Sequence, residues 1–296
     1  MRFVYLILLA LLSACTPRHS AESPLFFDHA AALRADTIIV ATPGALTSIS
    51  VMRDLERFAT PDRALVYYRL PGLDGRPQSD PFNIHAAADS IVRFVQHYDF
   101  DTVLYVGFST GNAINLEAAK RLATERQDIT QAVAGISTAL PAPQPILAGV
   151  RGFAGNVSAA TRVDRLSRRD IWLEYYKTLL FGGPRDQPEP VRKSAQTIAD
   201  ANAPRIEVPD AEIAGRHGTA LLGWRNAGAD RLGDVDIGLF HGARDPVFPL
   251  RAVLRFAEGL PKPATVVSYD NNGHLLMITQ PRLFDHVFAY FADVAE

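Results

Sequence analysis

At 296 residues, with 48% hydrophobic and 21% charged side chains, the chain can bury one large core and does not have the composition of a disordered or many-span membrane protein. Its 30 basic residues are balanced by 32 acidic ones, a formal charge of -2, so it lacks the long-range attraction to phosphate backbones that nucleic-acid binding requires.

In chain order, Arg2 is followed by an uninterrupted apolar run from Phe3 to Leu12 and then by small residues, the layout of a signal peptide over residues 1–14. Ten apolar residues rise only about 15 Å as a helix, too little for a bilayer core, so export is the expectation rather than a stable transmembrane anchor. Leu12-Ser13-Ala14-Cys15 resembles the lipobox of bacterial lipoproteins, and Cys15 is the only cysteine in the chain. That resemblance implies a lipid-modified N-terminus at Cys15. Because Thr16 is not the aspartate associated with inner-membrane retention, it also implies an outer-membrane location. The alternative is a plain secretory signal with an incidental cysteine. Residues 15–24 form a polar, proline-bounded tether that spans roughly 30 Å when extended. With Cys15 so used, no disulfide is available and the fold rests on its core.

From there on, short apolar runs alternate with amphipathic stretches, the pattern of parallel strands joined by crossover helices. The strand candidates are Thr37 to Ala41, Ala64 to Tyr68, Thr102 to Val106, Ala132 to Ile136, Val235 to Phe240 and Thr265 to Tyr269. Their continuous apolar character predicts a sheet covered on both faces. Val51, Leu55 and Phe58 keep helical spacing, as do Ile84, Ala88, Ile91 and Val95. Ile114, Ala118 and Leu122 form another stripe, with Lys120 and Arg121 placed to favour the negative end of that helix. A last helix is expected to open at Pro281 and bury Phe284, Val287, Phe288 and Phe291. The alternation fails between about residues 140 and 234, which predicts a helical cap inserted into a core made of 25–139 and 235–296. Within that cap Trp172, Tyr175, Tyr176, Leu179 and Leu180 share a face that either packs on the body or lines a pocket.

Three elements carry chemistry. Gly107-Phe108-Ser109-Thr110-Gly111 follows a strand candidate and precedes a helix, where G-x-S-x-G forms a sharp turn that projects the serine hydroxyl. His241 to Pro249 contains Asp245, which leaves the strand candidate ending at Phe240 and can orient an imidazole. Asn271-Asn272-Gly273-His274 follows the strand candidate ending at Tyr269 and supplies a base. Asp270 is a rival acid, better read as a loop hydrogen-bonding residue. His217 in the cap is given no role. The chain contains no H-E-x-x-H pair, cysteine ligand set, Walker loop or G-x-G-x-x-G, so neither a metal nor a cofactor is implied.

With its serine, acid and histidine in that order, each beyond a strand, the chain resembles the α/β-hydrolase superfamily from about Thr37 to Asp293. The resemblance implies an α/β-hydrolase fold with an eight-stranded, mostly parallel sheet, of which six strands are placed; Leu25-Phe26-Phe27 is a candidate for a reduced first hairpin. It implies a Ser109–His274–Asp245 triad and an oxyanion hole built from the amides of Thr110 and Ala45. The Ala45 assignment departs from the family, which often has His-Gly where this chain has Pro43-Gly44. Some members place the acid after the preceding strand, but Ser137 to Gln144 holds no carboxylate, which favours Asp245. The expected activity is hydrolysis of a small-molecule carboxylic ester, with an apolar or lipid-derived substrate suggested by the cap aromatics. Leu70 to Arg76 is similar to a segment of thioesterase domains, which keeps acyl thioesters as an alternative, and a tethered binding lipoprotein without turnover is a third.

Overall fold

The computed structural model describes residues 23–183, 187–204 and 208–295; the predicted signal peptide, Cys15 and most of the tether lie outside them. The sheet has seven strands in the order β1-β3-β2-β4-β5-β6-β7. Six are parallel neighbours: β2 (Thr37–Thr42), β3 (Arg63–Tyr68), β4 (Thr102–Phe108), β5 (Thr130–Ile136), β6 (Asp236–Gly242) and β7 (Thr265–Tyr269). The seventh, β1 (Leu25–Phe27), pairs antiparallel with the β3 edge. Leu25-Phe26-Phe27 is therefore one edge strand rather than half of a hairpin, and the sheet described here has seven strands where the resemblance implied eight.

Helices cover both faces, as expected from strands apolar on both sides. On one face α2 (Ile84–Tyr98) buries Ile84, Ala88, Ile91 and Val95 beside α3 (Thr110–Glu125), after a single-turn α1 (His29–Ala32) near the sheet edge. On the other face Met52 and Leu55 pack with Phe284, Val287 and Phe291 of the last helix. Two details differ from the sequence expectation. Ile49–Phe58 is a 3-10 helix, and its two deepest residues, Met52 and Leu55, stand three apart, matching a three-residue turn. Helix α3 is not amphipathic. It is buried on every side from Thr110 to Lys120, and Lys120 does not sit at an exposed C-terminus but pairs at 2.5 Å with Glu117, which also accepts the Trp224 indole N–H at 2.8 Å.

Between β5 and β6 the described residues form helices and no strand: α4 (Gln144–Ala160), α5 (Arg168–Phe181), α6 (Glu189–Asn202) and α7 (Ala211–Leu222). Then α8 (Leu250–Glu258) links β6 to β7, and a single turn α9 (Leu276–Thr279) leads to α10 (Leu283–Ala295). Pro281 thus lies in the turn before α10 rather than in its first helical turn. Because β2 is flanked by β3 on one side and β4 on the other, the chain reverses its direction of winding there, and the loops leaving β2 and β4 open the crevice where α/β sheets bind ligands.

Candidate active site

Ser109 is the residue between β4 and α3, and its backbone lies at φ 48°, ψ -116°, outside the regions an L-residue occupies at ease. Packing holds it there. Its amide donates to Ile136 O at 2.9 Å, and its carbonyl accepts from Asn112 N at 3.0 Å and Ala139 N at 3.2 Å. The flanking glycines are required by contact. A methyl group on Gly107 would stand 2.6 Å from Asn112 Cα, and one on Gly111 would overlap Thr42 O and reach 2.6 Å from Pro43 O. The elbow is therefore pressed directly against the end of β2.

Asp245 follows β6 by three residues and is fully buried. Its Oδ1 accepts from Val247 N at 2.7 Å and Phe248 N at 3.0 Å, and its Oδ2 accepts from His274 Nδ1 at 2.7 Å. Burial alone would raise its pKa, but the facing His274, with His241 and the Phe248 amide, outweighs that cost and holds the carboxyl below its ordinary value. His241, 3.4 Å from the same carboxylate, donates from Nε2 to Phe248 O at 2.8 Å, and burial depresses its pKa.

The His274 loop is fastened to the cap. At the C-terminal end of α5, Leu179 O accepts from His274 N at 2.7 Å and Leu275 N at 3.1 Å, and Leu180 O accepts from Gly273 N at 2.8 Å. Carbonyls that a helix end leaves unpaired are thus satisfied by the loop that carries the base. Of the cap aromatics, Tyr176 and Leu180 pack with Ala199 of α6, Tyr175 lies against Gly155 of α4, and Trp172 stands 5.7 Å from the Tyr175 ring. Burial and then the Asp245 charge push the Tyr175 pKa up to about 12.

Asp245 and His274 are therefore joined directly. Next to Ser109 in the chain, Phe108 has its ring centroid 5.2 Å from that of His274. Among the described residues no hydrogen bond joins Ser109 to His274, whose Nδ1 is engaged by Asp245. Thr110 opens α3, where helix N–H groups are unpaired. Gly44, just before Ala45, is so close to the elbow that an added methyl would stand 3.0 Å from Ser109 Cβ and 2.7 Å from Phe108 Cδ1. Among the described residues the His274 ring pairs with Asp245 and forms no hydrogen bond or ion pair with Asp270.

Two residues that the sequence reading left without a role brace the Pro43 to Ser48 loop. His217 is buried in α7, accepts the Leu46 N–H on Nδ1 at 3.0 Å and donates from Nε2 to Pro71 O at 3.0 Å. Both partners demand the neutral Nε2–H tautomer, and burial, with the Arg76 charge, lowers its pKa accordingly. Leu46 itself sits at φ 62°. Asp74 accepts from Ser48 Oγ at 2.5 Å and from Ile49 N at 2.9 Å, so the Leu70 to Arg76 segment supports this loop. A cleft of about 650 Å³ between α2 and α7, bounded by Phe82, His85, Arg216 and Trp224, includes none of Ser109, Asp245 or His274.

The sequence profile described as the alpha/beta hydrolase family matches residues 23–286. Among curated proteins none matches the chain. Among solved structures, a carboxylesterase of the ammonia-oxidizing thaumarchaeon Nitrososphaera gargenis superposes with a TM-score of 0.65 at 15% identity, covering 92% of this chain and 95% of that one. A thermophilic esterase of Thermogutta terrifontis gives 0.65 at 15%, covering 91% and 93%. A bacterial membrane phospholipase A described as a virulence factor gives 0.60 at 19%, covering 87% and 78%. At these identities the likeness is one of fold.

Proposed function

The chain belongs to the alpha/beta hydrolase family, and from that premise we propose that it is a serine hydrolase that cleaves carboxylic esters through an acyl-enzyme. The observation that carries this reading is the buried Asp245–His274 pair at 2.7 Å. Because the carboxylate accepts a hydrogen bond from Nδ1–H and keeps the proton on that nitrogen, the imidazole is held in the tautomer whose Nε2 is a base. Ser109, on its strained elbow, supplies the hydroxyl.

In the proposed cycle Nε2 removes the Ser109 proton as Oγ bonds to the substrate carbonyl carbon. The carbonyl electrons move onto oxygen, where the Thr110 and Ala45 amides would face the charge. The imidazolium returns its proton to the leaving alkoxide as the ester C–O bond breaks. Water, deprotonated by the same nitrogen, then releases the acid and frees Ser109. The paired cap aromatics Tyr175 and Trp172 favour an apolar acyl or alcohol portion.

A fluorophosphonate probe tests this directly. The wild type is expected to be labelled on the peptide holding Ser109, and Ser109→Ala to take up no label. A folded wild type that resists the probe and turns over neither oxygen esters nor thioesters would leave a binding protein instead.

The sequence before Ser23 supports a further part of the same proposal: an exported chain tethered to the outer membrane through lipid on Cys15. Mass spectrometry of the membrane-extracted protein is expected to find an acylated peptide beginning at Cys15. A chain that retains residues 1–14, or is cut elsewhere, would contradict it.

A further inference from the structure

Helix α4 of the cap is unlike the other helices in what it shows to solvent. Ile146, Val150, Phe153 and Val157 recur at four, three and four residues and stand 54%, 61%, 74% and 51% exposed, with Leu147 beside them at 42%. Gly149 and Ala154 fill the spaces between, so the outward face carries no charged or hydrogen-bonding side chain. The one charged residue in its 17, Arg151, is turned inward and donates to Val247 O at 3.0 Å. Gly155 and Ala159 form the packed side, against Tyr175 and the interior. Contiguous exposed apolar side chains along one helix face, unlike single scattered ones, mark an interaction surface.

We infer that this face of α4 is a membrane-docking surface whose partner is an anionic lipid bilayer. Two features favour lipid over protein. Specific protein interfaces are rimmed and ordered by polar groups, at about one hydrogen bond per 100–200 Å²; the α4 face presents no side chain able to make one. Charge follows in the chain: after α4 the 78% exposed Leu166 is flanked by the exposed Arg165, Arg168 and Arg169, which outnumber the nearby Asp164 and Asp170, with Arg168 also donating to Pro209 O at 3.3 Å and Arg169 to Ala203 O at 2.6 Å. An apolar helical stripe with cationic residues at its margin is the arrangement of helices that lie in the plane of a bilayer surface. The Arg151–Val247 bond ties this face to the Asp245 loop, so docking sets the cap side of the site against the lipid.

The measurement does not depend on turnover, so it is independent of the proposed chemistry. Cys15 is the only cysteine. Full-length Cys15→Ser/Phe153→Cys therefore accepts one environment-sensitive fluorophore at the centre of the face, and Cys15→Ser/Arg93→Cys places the same label on exposed α2 as a control. With phosphatidylglycerol/phosphatidylethanolamine vesicles, the label at 153 is expected to shift to the blue and brighten at least roughly twofold, while the control stays unchanged. Adding Ile146→Glu is expected to raise the lipid concentration needed for half the response about tenfold. Three outcomes would overturn the inference: no response at 153; an equal response to neutral phosphatidylcholine vesicles; or emission already blue-shifted without lipid, which would mean that a second copy or the chain's own apolar run covers the face.

Discussion

Replacing Asp245 by asparagine is expected to lower kcat/KM for an ester about 10⁴-fold while the protein stays folded. The geometry supplies the reason. An Asn oxygen can still accept from Val247 N and Phe248 N, but the NH₂ then occupies the position of Oδ2 and points at His274 Nδ1. That nitrogen must become an acceptor, which moves the ring proton to Nε2, the atom needed as a base. Circular dichroism checks the fold, and steady-state kinetics with an activated ester checks the rate. Activity within tenfold of wild type would show that another group orients His274.

The same substitution also changes pH behaviour. The Asp245 pKa lies below its ordinary value in the folded protein, so in the unfolded chain the carboxyl binds its proton at the higher pH. Its stabilising contribution is complete above the unfolded value and disappears as pH falls through the folded one. Asp245→Asn, having no proton to bind there, should show a shallower loss of stability on acidification.

The triad candidates and the parallel strands were readable in the sequence because both depend on local order. A continuous apolar run is its own evidence for a buried strand, and a reactive residue just beyond such a run lies at the sheet's active edge. What escaped depends on contacts between distant segments. Leu25–Phe27 is too short to show a period, and only its pairing with Val66 to Tyr68 makes it a strand. Three- and four-residue spacings do not separate a 3-10 from an α-helix over one decade of residues, so the form of Ile49–Phe58 was hidden. The sequence places Lys120 to favour the negative end of its helix, and only the fold brings Glu117, Trp224 and Ala227 O around it. His217 lies 171 residues from Leu46 and 146 from Pro71, in a helix with no pattern of its own to mark it. The one available hint was that an isolated histidine in an apolar insertion must find polar partners once buried. Likewise, the use of the α5 carbonyls to hold the His274 loop follows from where the cap is seated, and composition does not encode that.

Gly111→Ala is expected to cost about 3 kcal/mol or more, a large share of the stability a domain possesses. The new methyl would overlap Thr42 O and lie 2.6 Å from Pro43 O, and both are backbone atoms at the end of β2 rather than side chains able to swing aside. Thr42 is further fixed by its hydroxyl bond to Asn115 Oδ1 at 2.7 Å, within the same buried helix. Relief therefore requires α3 to move off the sheet, taking Ser109 and Thr110 with it, or the Pro43 to Ser48 loop to leave the braces of His217 and Asp74. Either route separates the serine from the Ala45 amide proposed to face the oxyanion, so surviving folded protein should also turn over slowly. Gly149→Ala provides the contrast. It lies within α4 with nothing inside 4 Å of the added methyl, and there alanine should be neutral or stabilise by up to about 1 kcal/mol through helix propensity. Urea denaturation of the two variants beside wild type measures the difference, and equal midpoints for both would mean that the elbow is not pressed against β2 as described.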